Sequence, residues 1–250
     1  LNGATIVLDS GGNSGLGGVG SGQPAIIDSD KDGFIDSLYV GTDKGFMYKV
    51  DISNVASITD SVINANERTA ERGVYGSPTV VVGEAEGDPD NPVYPVHIFF
   101  GTGGTDDDTT YKFYAYTDKG GTTSLEWSYE LPAGHRVFTS AFAAAGQIYF
   151  TTTSAVTENP CEAGGQTEGN VYAFKYKLEE GQNEATPLLN ECLPPGSGRV
   201  HPVVDDEHLY LKTTTGALKS MGSGMYNNAA VAPPGQVTPQ AMLQSWREIF

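Results

Sequence analysis

Between Ile27 and Ser37 the chain reads Asp28-Ser29-Asp30-Lys31-Asp32-Gly33-Phe34-Ile35-Asp36. Carboxylates stand at positions 1, 3, 5 and 9 of this run, with glycine at position 6. Alternation turns acidic oxygens toward one centre, and Gly33 allows the sharp reversal that such a loop needs. The backbone carbonyl of Phe34, at position 7, can add a further oxygen. A hard divalent cation with a flexible oxygen shell suits this spacing, and calcium is its usual occupant. The expected ligands are therefore Asp28, Asp30, Asp32, the Phe34 carbonyl and Asp36. A solvated acidic turn is the plainer alternative, but it would not require four alternating carboxylates beside a glycine.

The flanks decide what kind of loop this is. Pro24-Ala25-Ile26-Ile27 leads in and Ser37-Leu38-Tyr39-Val40 leads out, and both read as short strands. An EF-hand would have helical flanks and a bidentate Glu at position 12, where this chain has Tyr39. The sequence thus predicts a Ca²⁺ loop at 28–36 carried between two strands.

A repeat surrounds the loop. Four segments share one plan: a small-residue or proline entry, an apolar strand, a second strand ending in Gly-Thr or Thr-Thr, a turn, then an aromatic strand. The second strands and their ends are Leu38-Tyr39-Val40-Gly41-Thr42, Ile98-Phe99-Phe100-Gly101-Thr102, Ile148-Tyr149-Phe150-Thr151-Thr152 and Leu209-Tyr210-Leu211-Lys212-Thr213-Thr214. Their spacing is irregular, roughly 45 to 65 residues, as expected of four-stranded propeller blades with unequal insertions. An outer strand is visible at Ser124–Leu131, and residues 51–70 could hold one short helix or none. The fold expected is all-β and β-propeller-like, with about four blades of antiparallel sheet over residues 1–250.

The 250 residues include 32 glycines and 13 tyrosines, a composition suited to short strands and tight turns. With 14 basic and 31 acidic residues the formal net charge is −17. Such a surface repels nucleic acid and anionic lipid, so neither is an expected partner. No apolar run approaches the ~20 residues of a membrane helix. The chain begins at Leu1 and reads as a processed product or a piece of something longer.

Cys161 and Cys192 stand in loop-like surroundings, outside any metal or redox spacing. In an oxidising compartment they could close a loop of about 30 residues, contributing ~3 kcal/mol. Two unpaired thiols are the alternative. Gly15-Leu16-Gly17-Gly18-Val19-Gly20 matches a dinucleotide fingerprint by letter, but Pro24 and a strand follow where a helix is needed. Asp106–Asp108 and the alternating Glu84, Glu86, Asp88 and Asp90 read as exposed acidic loops. His97, His135, His201 and His208 are scattered without zinc spacing, and Trp127 and Trp246 read as packing residues.

Taken in order, further pieces carry a family resemblance: the calcium loop with Gly41-Thr42, Tyr48-Lys49-Val50-Asp51, Phe100-Gly101-Thr102-Gly103, Val137-Phe138-Thr139-Ser140, Pro160-Cys161, Gly222-Ser223-Gly224 and Ser245-Trp246-Arg247-Glu248. The chain resembles the C-terminal propeller domain of PilY1-type proteins, the tip-associated adhesins and assembly factors of type IV pili. The resemblance implies a non-enzymatic, surface-exposed, extracellular protein at the pilus tip, with pilins or minor pilins as partners. It implies calcium-linked control of pilus extension and retraction, and a part in adhesion. The large N-terminal adhesive region of such proteins is not in this sequence. Because Leu1 stands just before what reads as an outer strand, Ala4-Thr5-Ile6-Val7-Leu8, earlier blades could lie in an N-terminal part or in another chain that completes the propeller. Two alternatives stand beside it: a fragment of a quinone-dependent dehydrogenase propeller, and a module binding host protein or glycan through its loops.

Overall fold

The computed structural model describes residues 22–54, 58–64, 72–104, 110–154, 169–193, 202–204, 209–212 and 218–221. The protein is all-β; among the described residues lie three four-stranded antiparallel sheets, a three-stranded one and two two-stranded ones. Among the described residues there is no helix. The chain divides into two compact units, Leu1–Ser140 and Ala141–Phe250.

In the first unit, β1 (Ala25–Ile27), β2 (Ser37–Gly41), β3 (Met47–Asp51) and β4 (Thr59–Val62) form a meander in sequence order. Strand β4 lies in the stretch where at most a short helix was expected. The next sheet runs β5 (Thr79–Val82), β8 (Val96–Gly101), β9 (Lys112–Lys119) and β10 (Thr122–Glu130), which is the anticipated outer strand. A small hairpin of β6 (Glu86–Asp88) and β7 (Asn91–Val93) is inserted between β5 and β8, and short β11 (His135–Arg136) follows β10. Tyr39 and Met47 of the first sheet pack with Val96, Ile98, Phe100, Tyr114 and Tyr116 of the second, so one core joins the two sheets. That packing buries one face of β8, at Val96, Ile98 and Phe100; His97, Phe99 and Gly101 on the other face are buried as well.

In the second unit, β12 (Phe142–Ala144), β13 (Gln147–Thr151), β15 (Asn170–Lys175) and β16 (Leu189–Cys192) make the same meander, with short β14 (Thr153–Ser154) after β13. The last sheet has three described strands, β17 (Pro202–Val204), β18 (Leu209–Lys212) and β19 (Leu218–Met221). Leu209 and Leu211 pack on Tyr149, Val171 and Ala173. Cys192 is exposed and has no disulfide partner among the described residues; Cys161, and with it the bridge anticipated between the two, lies outside them.

The repeat seen in the sequence has a physical cause. Thr42, Thr102 and Thr152 each donate their amide to the following strand, at Phe46, Lys112 and Asn170, over 2.8–2.9 Å. Each threonine hydroxyl accepts the amide of that same residue, over 2.9–3.1 Å. The carbonyls of Thr42 and Thr102 then accept the amides of Val74 and Val137, which begin the approach to the next sheet. The glycine before each threonine leaves room for that valine: a Cβ on Gly41 would lie 2.5 Å from Val74 Cγ1, and one on Gly101 2.4 Å from Val137 Cβ.

Successive entries also touch at equivalent positions. A Cβ on Gly22 would meet the Gly76 backbone at 2.5 Å, and one on Gly76 the Thr139 carbonyl at 2.6 Å. Tyr75 and Phe138, one residue along, pair their rings at 5.6 Å. The aromatic strands repeat as well. Phe100 stacks on Tyr114 and Tyr116, and Phe150 stacks on Tyr172 and Phe174, each at 5.2–5.8 Å. Such pairs contribute about 0.5–1.5 kcal/mol beyond area burial.

Candidate metal centre

The acidic run is the connection of a β-hairpin. Strands β1 and β2 pair antiparallel with Ile27 opposite Ser37, leaving residues 28–36 as the loop. Asp36 N–H donates to the Ile27 carbonyl (3.0 Å) and closes it, and Ile52 N–H donates to the Asp36 carbonyl (2.7 Å). Inside, the chain reverses through Lys31 (φ 63°) and Gly33 (φ +95°). Gly33 has open space around it, so its backbone conformation, rather than crowding, favours glycine there.

Asp28, Asp30 and Asp36 converge, each offering a carboxylate oxygen within 4.8 Å of the others. Oxygens bound to one Ca²⁺ at 2.3–2.6 Å lie at most about 5 Å apart, so the group fits a calcium shell. Loop amides already point at these carboxylates. Asp28 accepts from Asp32 N–H (3.2 Å) and Gly33 N–H (2.8 Å), and Asp30 also accepts from Asp32 N–H (3.1 Å). Asp36 Oδ2 accepts the amide and the hydroxyl of Ser29, at 2.6 and 2.8 Å.

Asp32 is placed differently. Its Oδ1 accepts Phe34 N–H at 2.8 Å in a local turn, and it stands outside the convergent group. The Phe34 side chain is 74% exposed. The amide of Asp32 draws the Asp30 pKa down, but desolvation and the charges of Asp36, Asp32 and Asp28 prevail, leaving that carboxyl above its ordinary value. Like charges about 4 Å apart repel by about 1 kcal/mol per pair in water-like surroundings, and a cation among them removes that repulsion.

The other sequence candidates fall elsewhere. Glu86 pairs with Lys119 at 2.8 Å, and Asp88 accepts Asp90 N–H at 3.0 Å within the β6–β7 hairpin. Among the described residues no second group of three possible metal ligands converges. His97 is buried in β8, with Nδ1 3.1 Å from Thr117 Oγ1 and its ring beside Phe99. Trp127 packs against Phe113. The glycine run 15–20, Asp106–Asp108, His201, His208 and Trp246 lie outside the described residues.

One polar group escaped the sequence reading. Asp118, 3% exposed on β9, accepts the Tyr39 hydroxyl at 3.1 Å and forms an ion pair with Lys49 of β3. Burial, together with Asp118, pushes the Tyr39 hydroxyl pKa far up. Asp118 Oδ1 also accepts Gly121 N–H at 3.1 Å, so from sequence it reads as an ordinary turn residue before Gly120-Gly121. No local signal links it to a lysine 69 residues away.

Comparison with known proteins adds little. No family model matches the chain, and no curated protein does. Among solved structures it is similar to the major allergen Mala s 1 of Malassezia sympodialis, with 12% identity, 77% of each chain covered and a TM-score of 0.31. So slight a likeness carries no argument.

Proposed function

We propose that this chain is a calcium-binding, non-enzymatic module of the cell surface, in which an ion fixes the β1–β2 hairpin. The convergence of Asp28, Asp30 and Asp36 at the end of a two-stranded ribbon carries this reading. Asp32 and the Phe34 carbonyl complete the oxygen set from the same loop. Following the PilY1-type resemblance, the module belongs to the tip of a type IV pilus. There it contacts pilins or minor pilins, and calcium occupancy bears on pilus assembly, retraction and adhesion. Dissociation constants of about 0.1–1 mM are typical of extracellular calcium modules, so occupancy would follow the surrounding medium.

Calorimetric titration of the chain with Ca²⁺ tests the first part. One site should appear, accompanied by a rise in melting temperature, and both should be lost in Asp30→Asn. Absence of heat and of any thermal shift at saturating Ca²⁺ would remove the metal reading. Capture of minor pilins from solubilised pili, with and without chelator, tests the second part. Calcium binding without pilin capture would retain the module and remove its assignment to the pilus.

A further inference from the structure

Within the first unit a cavity of about 180 Å³ opens between the acidic loop, the β6–β7 hairpin and the β9–β10 turn. Its polar wall comprises the Lys49–Asp118 pair with Ser29 and Asp30 of the acidic loop, and its apolar wall comprises Pro92, Val93 and Val96, beside Tyr94. Its volume is far more than the roughly 10–15 Å³ that a single water occupies on the same measure, and it admits a ligand on the scale of one sugar ring.

The polar wall selects the chemistry. Lys49 has three ammonium hydrogens, of which Asp118 takes one. Asp118 Oδ1 accepts Gly121 N–H and retains a second lone pair. A donor and an acceptor thus stand side by side on a rigid support, because Tyr39 and Gly121 fix the carboxylate from two directions. An anion would meet Asp30 and Asp118 on a chain of net charge −17, and a cation would meet the Lys49 ammonium. Neighbouring hydroxyls, each able to donate and accept, match the pair without charge conflict. The C–H face of a ring suits the proline and valine wall opposite.

We propose that this cavity binds one neutral sugar ring, with adjacent hydroxyls bonded to Lys49 and Asp118. The site borders the calcium loop, since Ser29 and Asp30 line it, but its two hydrogen-bonding groups, Lys49 and Asp118, are not among the expected metal ligands.

The test is saturation-transfer NMR on the full chain with free glucose, galactose, mannose, fucose and N-acetylglucosamine. At least one sugar should receive saturation. Val93→Trp, which fills the cavity from an exposed strand position, should weaken that binding about tenfold or more while melting temperature and calcium titration stay unchanged. Lys49→Met combined with Asp118→Asn removes both charges together and should abolish binding in a chain that still melts cooperatively. Failure of every sugar in the panel to receive saturation would overturn the proposal, as would unaltered binding in either folded variant.

Discussion

Lys31 leaves the acidic loop and sets its ammonium 4.4 Å from the centre of the Tyr94 ring, while donating a hydrogen bond to the Gly83 carbonyl at 3.2 Å. One side chain therefore ties the β1–β2 loop of the first sheet to the inserted hairpin of the second. Lys31→Met should release that tie at a cost of about 0.5–1 kcal/mol, the range for an exposed cation–π contact. Hydrogen exchange should quicken across residues 84–93, and calcium affinity should rise slightly because a positive charge has left the loop. Unchanged exchange in that hairpin would show the contact to be idle.

Asp32 and Asp36 should respond differently to substitution. Asp36 stands in the convergent group and holds Ser29, so Asp36→Asn should weaken Ca²⁺ binding about tenfold or more. Asn at position 32 would still accept the Phe34 amide, so Asp32→Asn should cost clearly less. Equal losses by calorimetry would mean that the ion pulls Asp32 fully into its shell.

Gly101→Ala should destabilise the first unit by about 1–3 kcal/mol, the usual cost of overpacking, because the new methyl would meet Val137. Combining it with Val137→Ala should cost less than the sum of the two changes, by about 0.5 kcal/mol or more. Chemical denaturation of the four variants measures this coupling, and strict additivity would exclude the contact as the cause.

Asp51, opposite Ser37 at the foot of the acidic loop, gives a further pH dependence. The Ser53 hydroxyl bonded to its carboxylate at 2.6 Å, and beyond it the Ser53 amide and the Lys49 charge, outweigh partial desolvation and hold its pKa below the ordinary value. A lowered native pKa means that the unfolded chain binds the proton more readily. The stability that Asp51 adds is present above the unfolded carboxylate pKa and is lost as pH falls through the native value. In Ser53→Ala the Asp51 carboxyl, followed by carbon-detected NMR titration, should move up toward an ordinary carboxylate. No movement would discount the hydroxyl as the cause.

Much of this was legible in the residues themselves. Asp28, Asp30 and Asp36 at alternate spacing, between two runs of strand-forming residues, foretold a hairpin loop, and the structure has one. Gly-Thr or Thr-Thr at the end of the second strands marked the repeat, because the last threonine hydroxyl accepts the next strand's amide, and at Gly41 and Gly101 the missing side chain makes room for a valine. The turn of Asp32 toward Phe34 was hidden, because short-range amide bonding competes with convergence and leaves no mark in spacing. The Lys49–Asp118–Tyr39 group was hidden for the opposite reason, since it unites residues from separate sheets. The β6–β7 hairpin passed as an acidic loop because Glu86–Asp88 carries little strand propensity and its three residues are all exposed.

Thr42 and Thr102 each accept, through the backbone carbonyl, the amide of a valine far along the chain, and they do so from a fixed place beside a bare α-carbon. Exposed connections between these anchors can lengthen or shorten without disturbing the anchors themselves. Architecture of this kind tolerates new surface loops of any size, which is how a hairpin like β6–β7 can be spliced in with the joints around it intact.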